Sequence, residues 1–214
     1  MNFMISTESF SKQAVDFDSW FDKYPALFIS EVEALRDMLP SGKSNGMEIG
    51  VGTGRYADAL GIREGIEPSA GMRNIALSRG IHTKEAIAER LPYKDSLFDF
   101  VLMVSRNSYF FSINETFLEV RRVLKPGGRL IIGFIEKDSL FGKLCEEQKE
   151  KHIFFHQTII CPTEKLISLL EDTGFGHFEF SQTLFRGPDL IKNFEHAIPG
   201  YGKGSFVTIK AIKK

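Results

Sequence analysis

Met47-Glu48-Ile49-Gly50-Val51-Gly52-Thr53-Gly54 places three glycines on alternate residues, directly behind a short apolar run that carries one acid. Such a stretch predicts a strand ending at Gly50, a bare turn, and a helix from about Thr53 to Leu60. Glycine supplies the positive backbone dihedrals of a tight turn and lets a ligand approach the main chain. The N–H groups opening the helix suit a carboxylate or a phosphate.

Outward from this turn, apolar runs alternate with helical patterns. A strand near Gly65-Ile66-Glu67 leads to a helix from Ser69 to Arg79, which Gly80 stops. A strand near Thr83 to Ile87 follows, and Phe98 to Ser105 is apolar on consecutive residues, as in a strand covered on both faces. Ser112 and Glu115 have capping-box spacing ahead of Ile113, Phe117, Val120 and Leu124. Lys125-Pro126-Gly127-Gly128 then launches the run RLIIGFIE. A helix from about Pro162 to Asp172 precedes two final runs, FEFSQTLF and SFVTIKAIKK, with no helix between them. Upstream, Leu27, Phe28, Val32, Leu35 and Leu39 share one helix face, with Glu31, Glu33, Arg36 and Asp37 between them. The pattern predicts an α/β doubly wound, mostly parallel sheet with helices on both faces and an antiparallel C-terminal edge.

The 214 residues, 43% hydrophobic, suit one domain over 1–214, with an N-terminal helical cover over 1–40 and an insertion loop over 186–204. A net charge of −1 provides no global field to gather nucleic acid or an anionic membrane. The N-terminus lacks a secretory pattern and no apolar run approaches the roughly 20 residues of a membrane span, so a cytoplasmic protein is expected. Cys145 and Cys161 have no C-x-x-C spacing and read as ordinary thiols. His152 and His156 lie four apart with no third ligand nearby, and no metal is expected.

Two nucleotide fingerprints fail at the turn. The third glycine of G-x-G-x-x-G would fall on Arg55, and no G-K-[ST] triplet follows for a phosphate loop. Glu48 would repel a pyrophosphate and welcome a cation. The ligand should therefore carry positive charge together with a group for the helix end.

Met47 to Gly54 resembles the first motif of the class I S-adenosylmethionine-dependent methyltransferases, an apolar-acid-apolar-G-x-G-x-G. That cofactor carries a carboxylate, an ammonium and a sulfonium, and no phosphate. The likeness continues through Glu67, thirteen residues after Gly54, where the family's acid binds both ribose hydroxyls, and through Met72, which looks like the residue packing on the adenine. Ala88-Glu89-x-Leu91-Pro92-Tyr93 with Phe98-Asp99 resembles the D-A-E-x-L-P-F…F-D segment whose backbone reads the adenine edge. Ile87 stands in place of its leading acid, and a hydrogen bond to a charged group is worth ~1.5–3 kcal/mol, so weaker binding or a substitute group is implied. Arg122 to Gly128 resembles R-V-L-K-P-G-G, with an architectural role.

The resemblance implies cofactor binding by Glu48, Gly50, Gly52, Gly54, Glu67, Met72, Ala88, Glu89 and Ser105. It implies transfer of methyl to a small-molecule acceptor by in-line displacement, for which positioning alone can supply ~7–11 kcal/mol. Arg106, Asn107 and Tyr109, past the fourth strand, are the acceptor candidates. Trp20, in a segment resembling the family's N-terminal cover, joins them. The [DNS]-P-P-[YF] tetrapeptide of amine-methylating relatives acting on nucleic acid or glutamine is absent. Methylation of protein or RNA, and a non-catalytic cofactor-binding module, are the alternatives. The residues do not specify the acceptor, the catalytic groups or the oligomeric state.

Overall fold

The inner strands form from runs that are apolar on consecutive residues, because both of their faces are covered. A computed structural model describes residues 2–104, 112–147, 161–187 and 190–214, with side chains from Thr7 onward. Its strands are β1 (Gly46–Ile49), β2 (Glu64–Ile66), β3 (His82–Lys84), β4 (Phe98–Val104), β5 (Leu124–Ile135), β6 (Phe175–Thr183), β7 (Ile198–Pro199) and β8 (Phe206–Lys213). They make one sheet in the order β3-β2-β1-β4-β5-β8-β6-β7. The first five strands are mutually parallel, and β8 runs antiparallel to both β5 and β6. The expected doubly wound architecture is thus observed, with the last strand inserted between β5 and β6.

Helices α1 (Asn2–Lys12), α2 (Ala14–Lys23), α3 (Pro25–Arg36), α4 (Arg55–Leu60) and α5 (Ala70–Ser78) precede β3, while α6 (Ile113–Val123), α7 (Leu140–Glu147) and α8 (Thr163–Asp172) follow β4. The pleat divides the core between them. Phe100, Leu102 and Val104 of β4 join Phe17, Leu27, Ala57 and Met72 in one buried cluster. Val101 and Met103 join Phe117, Val120, Leu166 and Leu170 in the other. Among the described residues no helix is long and apolar enough to cross a membrane.

Three local features depart from the sequence pattern. β5 begins at Leu124, but its pairing with β4 jumps from Phe98↔Leu124 to Phe100↔Arg129, so Lys125 to Gly128 loops out as a bulge inside the strand. The Ser112 hydroxyl caps α6 by accepting from Glu115 N–H at 3.3 Å, while the reciprocal bond from Ser112 N–H goes to Glu89 Oε1 at 3.2 Å rather than to Glu115. Glu31, expected on the polar face of α3, is fully buried and accepts a hydrogen bond from the Tyr56 hydroxyl. The insertion loop is docked on α3: Glu195 N–H donates to Ser30 Oγ at 2.9 Å and Ala197 N–H to Glu33 Oε2 at 3.0 Å.

Arg122 has the architectural place expected of it. Its guanidinium spans Glu119 and Asp95 and donates to the carbonyls of Leu91 and Tyr93, tying α6 to the segment before β4.

Candidate active site

In this topology the crevice lies at the carboxyl ends of β1 and β4, where strand order reverses. The glycine turn borders it. Gly50, Gly52 and Gly54 have φ of 69°, 56° and 87°, a region that costs other residues ~1–2 kcal/mol. Gly50 and Val51 N–H both donate to the Ile66 carbonyl at 3.0 Å, which fastens the end of β1 to the end of β2. The two later glycines differ in purpose. A Cβ on Gly52 would meet only the Phe17 ring, at 3.6 Å, whereas one on Gly54 would lie 3.2 Å from Ala76 Cα and 3.3 Å from Ile81. Gly54 therefore allows α5 to pack closely against the turn.

Glu67, the residue after β2, closes the site from the neighbouring strand. Its Oε2 accepts from Gly52 N–H at 2.9 Å and its Oε1 from Ser69 N–H at 2.8 Å. Burial raises its pKa above the ordinary value, against the pull of the two N–H groups and the nearby Arg73. Two backbone donors thus fix both carboxylate oxygens, leaving further lone pairs for a ligand's hydroxyls.

Glu48 lies behind the turn, 1% exposed. Burial pushes its pKa far up; a hydrogen bond from Ala57 N–H opposes this and the charge of Glu67 adds to it. Ala57 belongs to the first turn of α4, so Glu48 satisfies one of the orphan donors of that helix from beneath. Its Oε2 is buried without a hydrogen-bond partner. An orphaned acid oxygen beside a bare turn fits a ligand that brings its own cation or donor.

Met72 is buried in the cluster that contains Phe17, and its N–H reaches the Ser69 cap at 3.5 Å. Ala88 is buried on the other face with Ile49 and Ile66. Glu89 spends one carboxylate oxygen on the N-cap of α6. Ile87, at the position of the missing acid, accepts Arg90 N–H through its carbonyl at 3.2 Å. Trp20 packs on α2 against Phe21 and Tyr24, with ring centroids 5.4 and 5.2 Å apart. Ser105, Arg106, Asn107 and Tyr109, like His152 and His156, lie outside the described residues.

The sequence pattern did not single out the charges that hold α2 in place. Asp18 receives Arg55 Nε at 3.0 Å and Nη2 at 2.7 Å, together with Arg79 Nη2 at 2.6 Å. Burial alone would raise the Asp18 pKa, but the hydrogen bonds and positive charge of Arg55 and Arg79 outweigh it and hold the group at about 2. The available signal was Arg55 itself, a long cation where a phosphate-binding turn has glycine.

Residues 47–132 match the family model described as a methyltransferase domain. A Thermotoga maritima crystal structure, described as an S-adenosylmethionine-dependent methyltransferase, possible histamine N-methyltransferase, is 38% identical, with a TM-score of 0.91 over 96% of this chain and 98% of that one. The chain belongs to the S-adenosylmethionine-dependent methyltransferases. An uncharacterized protein of Methanocaldococcus jannaschii is 40% identical over 95% of this methyltransferase and 98% of its own length. An uncharacterized protein of Mycobacterium tuberculosis is 31% identical over 98% of it and 75% of its own length. Membership implies S-adenosylmethionine as the methyl donor. The bare turn, the fixed Glu67 carboxylate and the orphaned Glu48 oxygen fit a cationic nucleoside without phosphate.

Proposed function

We propose that this methyltransferase binds S-adenosylmethionine across the glycine turn and methylates a small-molecule acceptor. The observation that carries the reading is the Glu67 carboxylate, held by Gly52 and Ser69 N–H at the end of β2 with acceptor capacity to spare. Glu67 takes the two ribose hydroxyls, Glu48 Oε2 faces the ammonium, and Gly50 and Gly52 let the amino-acid end lie on the main chain. Met72 packs against the adenine, Ala88 and Glu89 line its edge, and Ser105, past the fourth strand, lies toward the transferred methyl group.

When bound, the sulfonium supplies a methyl group activated for in-line displacement. The protein's part is to orient and to exclude water. Helix α2 brings Phe17 above Gly52 and carries Trp20 one turn further on, and Trp20, Arg106, Asn107 and Tyr109 are the proposed acceptor contacts. A cover of this kind favours a compact acceptor over a polymer. The T. maritima relative's description points to the same class, a small amine.

Incubation of the protein with methyl-labelled S-adenosylmethionine and a metabolite extract tests the acceptor class. Label is expected in the low-molecular-weight fraction; label confined to protein or RNA would refute the small-molecule reading.

A further inference from the structure

Helix α2 is fastened to the glycine turn by charge at one point and lies on it with an aromatic ring at the next. Asp18 is shared by Arg55, the first residue of α4, and Arg79, just past the end of α5. Arg55 also forks Asp22, one turn further along α2, at 2.9 and 2.8 Å. Arg79 Nη1 donates to the Thr53 carbonyl inside the turn itself. The Asp18 side chain is 16% exposed and both arginines 22%, so solvent screens this cluster only partly, whereas Asp22 at 68% adds less.

Phe17, next to Asp18, stands over Gly52, within 3.6 Å of where a Cβ would be. On the preceding helix, Ser11 Oγ sits 3.0 Å from Ser69 Oγ and accepts Gly71 N–H at 3.1 Å. The approach is so close that a Cβ on Gly71 would come within 2.3 Å of the Ser11 carbonyl oxygen. Ser69 is the residue whose N–H fixes Glu67. The first two helices therefore close over both ends of the turn-to-Glu67 cradle, and a ligand lying along that cradle must pass them.

We propose that Asp18, Arg55 and Arg79 form a latch that holds α2 down over the glycine turn and sets the rate at which cofactor enters and leaves. The inference rests on the glycine turn being the cofactor site. The three are positioning residues, acting through α2. A latch that closes in both the free and the bound protein, when weakened, speeds both directions and leaves the equilibrium nearly unchanged. Loss of an ordinary binding contact would accelerate departure alone.

The chain's single tryptophan, Trp20, lies on α2 and reports on it directly. Stopped-flow tryptophan fluorescence with S-adenosylhomocysteine is followed in wild type, Asp18→Asn and Arg79→Met, with hydrogen exchange of the α2 amides measured on the same proteins without ligand. Losing a charge-assisted contact is expected to raise association and dissociation rates together by about tenfold, with affinity changing much less, and to speed α2 exchange. Raising salt should shift the wild type toward the variants. Unchanged rates in folded variants, or faster dissociation at an unchanged association rate, overturn the latch. If wild type binds no S-adenosylhomocysteine the cofactor site itself is wrong, and the latch is then judged by exchange alone: α2 amides no faster in either variant would overturn it.

Discussion

Replacing Glu67 by glutamine separates the two jobs assigned to that carboxylate. It accepts Gly52 N–H at 2.9 Å and Ser69 N–H at 2.8 Å. A carboxamide has one acceptor oxygen, so Glu67→Gln keeps one of these bonds and turns an NH2 group against the other donor. A buried donor left unpaired costs ~1–3 kcal/mol. Because burial already raises the Glu67 pKa, removing the charge returns part of that cost, and a net loss of about 1–2 kcal/mol is expected. For a chain of this size that lowers the melting temperature by roughly 2–8 °C. With cofactor the same arithmetic applies to two ribose hydroxyls, of which the amide can serve one. Losing a charge-assisted bond worth ~1.5–3 kcal/mol weakens binding by roughly tenfold to a little over a hundredfold. Calorimetric titration with S-adenosylhomocysteine, well below the melting temperature of both proteins, measures this. Affinity within about twofold of wild type in a folded variant would refute the placement of the ribose.

Glu48 offers a protonation test. Its pKa is raised chiefly by burial, so the folded protein holds a proton there that the unfolded chain sheds above about pH 4.3. Wild type should lose stability relative to Glu48→Gln as pH rises above that value, up to the raised folded pKa. If an ammonium docks at Oε2, binding releases this proton. Titrations at a pH below the raised folded pKa, in two buffers of different ionisation enthalpy, should then give different apparent enthalpies for wild type and the same one for Glu48→Gln, apart from buffer effects common to both. Gly54→Ala should cost more stability than Gly61→Ala in urea unfolding. Both glycines have positive φ, at ~1–2 kcal/mol for a side chain, but only Gly54 adds contacts of 3.2–3.3 Å with Ala76 and Ile81. Equal losses would show that the packing of α5 on the turn is irrelevant.

The parts of this protein visible in the chain are those governed by local chemistry. Alternation of apolar runs with helical patterns gave the doubly wound sheet, because strands buried on both faces must be apolar on consecutive residues, as Phe100 to Val104 is. The glycine turn was legible because positive φ at Gly50, Gly52 and Gly54 tolerates little else. Glu67 was reached through the resemblance to the family's motif after the second strand, and the structure places its carboxylate against Gly52 N–H of the turn.

Contacts between segments distant in the chain were not legible. Glu31 lies four residues before Leu35 on α3, and only the arrival of Tyr56 from α4 turns that position into the interior. Glu89 serves the N-cap of α6 in place of Glu115 because the segment before β4 folds back beside it. Asp18 and Arg79 are separated by 61 residues. The sequence by itself determined the order of strands and helices and the turn between β1 and α4, since dihedral preference and burial act on neighbours. Only the tertiary structure decided which charges meet above that turn, because an ion pair depends on where whole helices come to rest.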